Sequence, residues 1–128
     1  MPLKILDHDS HNTELWREGV TTKMRISALT GAHQLCIFDQ WCEEGLGAPM
    51  HLHAVEEVLE VMEGRAEVSV GSETGILTKN QSVIIPAGTR HGFINAGTGL
   101  LHVRATLAAC IFEASYDASN ENSRRWVP

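Results

Sequence analysis

The sequence GLGAPMHLHAVEEVLEVMEG, residues 45–64, places two histidines and a glutamate in an alternating pattern typical of a β-strand. Side chains two positions apart point to the same side of a strand, so we expect His51 and His53 to project together, roughly 7 Å apart along the backbone. Glu57 has the same parity, whereas Glu56 has the opposite parity and is expected to face solvent. Imidazoles and a carboxylate in an apolar interior are unfavourable unless something binds them, so this segment favours a site for a divalent cation.

A second segment, NQSVIIPAGTRHGFIN, residues 80–95, supplies a third histidine. Residues 86–88 predict a turn, because proline fixes φ and glycine permits a positive φ. In the strand that should follow, His91, Phe93 and Asn95 share one face. A pair of histidines alone is more commonly a surface or hydrogen-bonded pair than a metal site, and the glutamate and this third histidine shift the balance toward metal.

Short alternating segments separated by Gly, Asn and Asp run through most of the chain, and none has a long helical period. Strands at a spacing of about 8–12 residues predict an all-β sandwich or barrel. We expect one domain over residues 1–128, with the core barrel at about 24–113 and a polar C-terminal tail at about 115–128. Trp126 is expected to attach this tail to the barrel.

Both segments resemble the sequence motifs of the cupin superfamily. Its first motif is Gly, five residues, His-x-His, three or four residues, Glu, six residues and Gly, and it matches Gly45, His51, His53, Glu57 and Gly64. Its second motif is Gly, five residues, Pro-x-Gly, two residues, His, three residues and Asn, and it matches Pro86, Gly88, His91 and Asn95. Asn80 replaces the leading glycine, and asparagine is the residue that next best tolerates a left-handed backbone. The resemblance covers about residues 35–107 and implies an antiparallel double-stranded β-helix, the jelly-roll barrel of small bacterial cupins.

The resemblance also implies a ligand set for one metal ion, namely His51, His53, Glu57 and His91. Imidazoles and one carboxylate without a thiolate suit a divalent transition metal, which could be Fe, Mn, Ni, Co, Cu or Zn, rather than Ca or Mg. On an octahedral ion, four protein ligands leave two positions for water, dioxygen or a bidentate substrate. A tetrahedral zinc would have no free position unless Glu57 moved away.

Other side chains are expected to line a substrate pocket beside the metal. The apolar wall should include Phe38, Leu59, Val61 and Phe93. Family analogy also turns Gln40 inward, where it either hydrogen-bonds the substrate or binds a neighbouring strand. His102 and Arg104 share a strand face. An inward Arg104 would anchor a carboxylate, although such an alternation more commonly marks the solvent face.

Composition narrows the partners and the compartment. The net charge of −6 argues against binding to nucleic acid or to an anionic membrane, which both require clustered basic residues. Three cysteines without CxxC spacing argue against a disulfide framework and against a thiolate zinc site. The first residues carry no apolar stretch typical of a signal peptide, so we expect a cytoplasmic protein.

Three functions remain open from the sequence. The first is a metalloenzyme of dioxygenase type that acts on a small chelating molecule. If the substrate displaces Glu57 from the metal, the freed carboxylate is within reach to act as the catalytic base, and burial would then raise its pKa. Within this first class, a metal-dependent isomerase or decarboxylase is the alternative reaction. The second is a non-catalytic module that binds a sugar or small acid. A storage barrel is the third, and it would have little reason to keep all four ligands.

A homodimer is the expected assembly, because exposed sheet edges tend to pair. Residues 13–29 alternate weakly and contain few apolar side chains. This segment either adds to the sheet of a second copy or folds back on its own barrel.

Overall fold

The computed structural model describes residues 2–128, which form thirteen strands and two short 3₁₀ helices, at His8–Ser10 and Ala28–Thr30. The strands are β1 (Thr13–Arg17), β2 (Val20–Ile26), β3 (Cys36–Cys42), β4 (Gly47–Leu52), β5 (Glu57–Glu63), β6 (Arg65–Val70), β7 (Glu73–Thr78), β8 (Gln81–Ile85), β9 (His91–Asn95), β10 (Leu101–Leu107), β11 (Phe112–Glu113), β12 (Ser115–Tyr116) and β13 (Arg124–Arg125). Within residues 2–128, no helix has the length and apolar character needed to cross a membrane.

Two antiparallel sheets enclose the core. One has the order β1-β2-β3-β10-β5-β8 and the other β12-β4-β9-β6-β7, while β11 pairs with β13. Residues 101, 103, 105 and 107 of β10 are buried and the residues between them are half-buried, which is the period of two expected for a strand with one face on the core. The predicted antiparallel jelly-roll barrel is confirmed.

The ends of the chain are part of the barrel. β1 and β2 extend the six-stranded sheet through β3, so the strands begin at Thr13 rather than near residue 24. Residues 13–29 therefore fold back on their own barrel within this chain, which was one of the two alternatives. Trp126 attaches the C-terminal tail as expected, since it is only 8% exposed, and the tail also contributes a strand that was not expected, because β12 pairs with β4.

An aromatic cluster explains why the tail is held in place. The Trp126 ring lies 5.6 Å from Trp16, 5.3 Å from Phe38 and 6.0 Å from Phe112, measured between ring centroids. The Trp126 indole N–H also donates to Glu14 at 3.0 Å. This burial of large aromatic surface outweighs the polar composition of the segment.

Two backbone positions shape the strands that carry the site. Asn80 has φ +67°, so the residue that replaces the expected glycine does adopt the left-handed conformation. Gly47 allows β4 to approach β9 closely, because a Cβ atom there would lie 2.1 Å from the carbonyl oxygen of Phe93. This approach sets the pairing in which His51 faces His91.

Candidate metal centre

Three strands bring the four predicted ligands to one end of the barrel. His51 lies near the end of β4, His53 directly follows that strand, and Glu57 and His91 begin β5 and β9. The chain bends at residues 54–55, and β4 and β5 belong to different sheets.

Glu57 does lie in the interior, but the argument from strand alternation was wrong, because no continuous strand joins Glu57 to His51. Its side chain enters the same interior from the opposite sheet, while Glu56 is exposed as expected.

The four side chains are all buried, with exposures between 3% and 6%. Their candidate ligand atoms all lie within 4.8 Å of one another. Glu57 Oε1 is 2.9 Å from His91 Nε2 and 3.1 Å from His53 Nε2. Two ligands at about 2.1 Å from a common ion can be separated by at most about 4.2 Å, so the cluster needs only a small contraction to surround one ion.

Each imidazole is fixed through its other ring nitrogen by a backbone carbonyl. The Nδ1 atoms of His51, His53 and His91 lie 2.6, 2.6 and 2.9 Å from the carbonyl oxygens of Pro49, Glu113 and Thr89. A carbonyl oxygen can only accept, so each Nδ1 donates its N–H, and Nε2 is left as the ligand atom. Fixing the ring through its second nitrogen is how metal-binding histidines are commonly oriented, and these residues fit a metal ion.

The protonation states have clear physical causes. Burial and the neighbouring His91 lower the pKa of His51 to about 4, which leaves a neutral imidazole at neutral pH. Burial also lowers the pKa of His91, but the hydrogen bond and the charge of Glu57 outweigh it and raise that pKa overall.

For Glu57, burial alone would raise the pKa, as the sequence suggested. While the carboxylate stays on His53 and His91, their hydrogen bonds outweigh burial and lower its pKa to about 2. A buried carboxylate of this kind must be balanced by positive charge, which protons on the imidazoles or a bound cation can supply.

An apolar cavity adjoins the cluster. Its wall includes Phe38, Leu59 and Phe93, whereas Val61 is fully buried in the core and is not among the lining residues. Gln40 also lines the cavity, and its side-chain amide donates to Thr22 Oγ1 on β2 at 3.0 Å. The centre of a water molecule can occupy only about 20 Å³ of this space, which is room for one or two waters.

Sequence reasoning missed the part of the cavity that is formed by the chain ends. Trp16, Arg17, Phe112 and Tyr116 line it together with the metal-site residues. None of them belongs to either motif, and the only available signal was the aromatic residues in otherwise polar terminal segments. Burial raises the pKa of Tyr116.

Arg104 lies on the outer face of the six-stranded sheet and not in the cavity. Its Nε and Nη2 donate to the two carboxylate oxygens of Asp39 at 2.8 and 3.1 Å. Asp39 is fully buried and also binds Arg25 and His102, each at 2.8 Å. The carboxylate that Arg104 anchors is thus one from its own chain, so the inward arrangement does not occur.

Comparison with known proteins agrees with the geometry. The sequence model of the cupin domain matches residues 42–108, just over half of the chain. Mannose-1-phosphate guanylyltransferase from Salmonella montevideo is 37% identical over 54 residues, which is 42% of this chain and 11% of that protein, so the match spans about a tenth of its length.

Among solved structures, an RmlC-like cupin from Shewanella frigidimarina has a TM-score of 0.73 at 20% identity, covering 84% of this chain and 92% of that one. The polyketide cyclase RemF from Streptomyces resistomycificus has a TM-score of 0.75 at 18% identity, covering 94% and 89%. Structural likeness at such low identity is evidence of the fold alone. The family match includes all four candidate ligands, and the chain belongs to the cupin family.

Proposed function

We propose that this cupin is a metal-dependent enzyme that acts on a small chelating substrate, most simply in a dioxygenase-type reaction. The observation that carries the proposal is the convergence of three oriented imidazoles and one carboxylate beside an apolar cavity. A divalent transition-metal ion held by His51, His53, Glu57 and His91 would supply a Lewis acid with positions open to a chelating ligand.

Glu57 is the residue proposed to handle a proton. Its Oε1 contacts both His53 and His91, and no side chain or backbone group of residues 2–128 donates a hydrogen bond to its Oε2. Oε2 is therefore the atom we assign to accept a proton from a substrate in the cavity. In the metal-loaded protein the Nε2 atoms would bind the ion instead, and Oε1 as a ligand atom would keep the carboxylate oriented for this role.

The cavity wall supports chemistry that must be protected from water. Phe38, Leu59 and Phe93 present hydrocarbon to the site, and the free space accepts one or two waters. A substrate larger than two waters would have to displace them and extend toward the side of the cavity that is open to solvent. The net charge of a divalent ion with one carboxylate and three neutral imidazoles is +1, which favours an anionic enolate, catecholate or carboxylate.

Turnover separates this proposal from its alternatives. The protein is to be loaded in turn with iron, manganese, nickel, cobalt, copper and zinc, and offered small diketones, 2-oxo acids and catechols while oxygen uptake and products are followed. We expect oxygen uptake with at least one metal and one substrate, and none for His91→Ala. The matched control Glu56→Ala, which changes the exposed neighbour of Glu57, should behave as wild type.

Two results would redirect the assignment. Product formed without oxygen uptake would indicate an isomerase or decarboxylase on the same site. Saturable ligand binding without any product across all metals would indicate a non-catalytic binding module.

A further inference from the structure

Two further polar side chains line the cavity in addition to the metal-site residues. Arg17 from β1 and Tyr116 from β12 both line the space that the four candidate ligands line. They come from opposite ends of the chain, and neither residue belongs to the motifs that define the family.

An irregularity in β1 turns Arg17 toward this space. Leu15 pairs with Thr21 and Arg17 with Val20, so Trp16 is an additional residue in the ladder, as in a β-bulge. Leu15 is 75% exposed and Trp16 is buried at 8%, and regular alternation would return Arg17 to the outer face of Leu15. The bulge instead places both Trp16 and Arg17 on the cavity.

Arg17 is held in place and still has a donor to spare. Its Nε donates to Glu121 Oε2 at 2.6 Å, its Nη2 donates to Glu121 Oε1, and its Nη1 donates to the carbonyl oxygen of Gly47 at 3.0 Å. A guanidinium group has five N–H donors, and the Tyr116 side chain is also a hydrogen-bond partner of Arg17, so at least one N–H remains for another acceptor. Only 16% of the Arg17 side chain is exposed, and its charge is paired with Glu121.

Tyr116 is fixed beside the metal centre. It pairs with His51 across β12 and β4, and the two rings lie 5.2 Å apart at an angle of 36°. Its hydroxyl group adds a donor to an otherwise mainly apolar cavity.

We propose that Arg17 and Tyr116 form a recognition point for an anionic oxygen of the substrate. The inference rests on the proposed function, because it assumes that the other end of the substrate chelates the ion held by the four ligands. The substrate class is then a small acid that carries a carboxylate in addition to its chelating pair of oxygens. The Nε and Nη2 donors of Arg17 already bind Glu121, so the substrate carboxylate would accept a charge-assisted hydrogen bond from the remaining guanidinium N–H.

The test uses matched ligands on the metal-loaded protein. Calorimetry is to compare 2-oxo diacids of four and five carbons with 2-oxo monoacids of the same chain length, which chelate identically and lack the remote carboxylate. We expect wild type to bind at least one diacid about tenfold more tightly than its monoacid partner, as for a charge-assisted hydrogen bond. Arg17→Gln should remove most of this preference and leave monoacid binding within about twofold.

Two further variants separate recognition from structure. Tyr116→Phe keeps the ring against His51 and should reduce the diacid preference by about threefold. Arg90→Gln removes an equivalent ion pair to the same C-terminal segment, that of Arg90 with Asp117 outside the cavity, and should leave the preference unchanged. Metal content and melting temperature are measured for every variant, so that a loss of folding is recognised.

The outcomes distinguish this inference from the proposed reaction. No diacid preference in wild type, or equal weakening of diacids and monoacids by Arg17→Gln, overturns the recognition point even if oxygen uptake is found. A preference that depends on Arg17, without any turnover, supports the recognition point and removes the proposed reaction alone.

Discussion

At the scale of single residues, the candidate metal centre is defined as much by backbone as by side chains. Each histidine donates its Nδ1–H to a carbonyl group, which fixes the ring and its tautomer before any ion arrives. Little rearrangement is then needed on binding, so each ligand should contribute strongly to affinity.

The first prediction concerns His91. His91→Ala removes one ligand and the partner of Glu57 Oε1, so we expect metal affinity to fall by at least about 100-fold. Elemental analysis after dialysis against a weak chelator measures this. Glu56→Ala should retain one ion per chain, and equal metal content in wild type and His91→Ala would refute the ligand assignment.

Asp39 carries the second prediction. Hydrogen bonds from His102, Arg104 and Arg25 outweigh burial and hold the pKa of this carboxyl well below its usual value of 3.8. Because this pKa is lower in the folded state, the stabilisation by the charged Asp39 is complete above pH 4 to 5. It is lost progressively as the pH falls below the pKa of the carboxyl in the unfolded chain.

Asp39→Asn should therefore destabilise the protein most at neutral pH, by about 3 kcal/mol, because it leaves the cations without their counter-charge. Urea denaturation should show the difference from wild type shrinking by about 1 kcal/mol between pH 6 and pH 3. A constant difference over that range would contradict the assigned pKa direction.

At the scale of elements, alternation predicted the strands well where one face is buried. The pattern matches burial residue by residue in β10, and in β5 it holds as far as Met62. Alternation failed where the chain departs from a regular strand, at the bend between His53 and Glu57 and at the bulge beside Trp16. A motif with fixed spacing still found the ligands, because spacing encodes such irregularities and parity does not.

Trp126 was expected to attach the C-terminal segment, but the strands in that segment were missed for a different reason. It is polar by composition, and its attachment depends on long-range aromatic contacts of Phe112 and Trp126 that local patterns do not reveal. Trp126→Ala should lower the free energy of unfolding by about 3–5 kcal/mol through loss of this packing. Thermal unfolding measures the effect, and the control Val127→Ala, at a neighbouring residue that is 48% exposed, should change stability by less than about 0.5 kcal/mol.

At the scale of the whole molecule, two sheets leave four outer strands, β1 and β8 in one sheet and β12 and β7 in the other. The pairing of β1 with β2 uses one edge of β1 and leaves the other for a second chain. We predict a homodimer of two 14.0-kDa chains, which light scattering at micromolar concentration would detect. A single species of the monomer mass would remove this prediction.

Gly47 has a consequence for how the protein can evolve. A side chain at this position would collide with the carbonyl oxygen of Phe93 and separate β4 from β9, the strands that set His51 opposite His91. In a saturation-mutagenesis screen for activity, substitutions of Gly47 would therefore abolish activity as substitutions of a catalytic residue do, although glycine has no functional group. The intolerance of position 47 to mutation would reflect the spacing between β4 and β9. It should not be taken as evidence that Gly47 has a catalytic role.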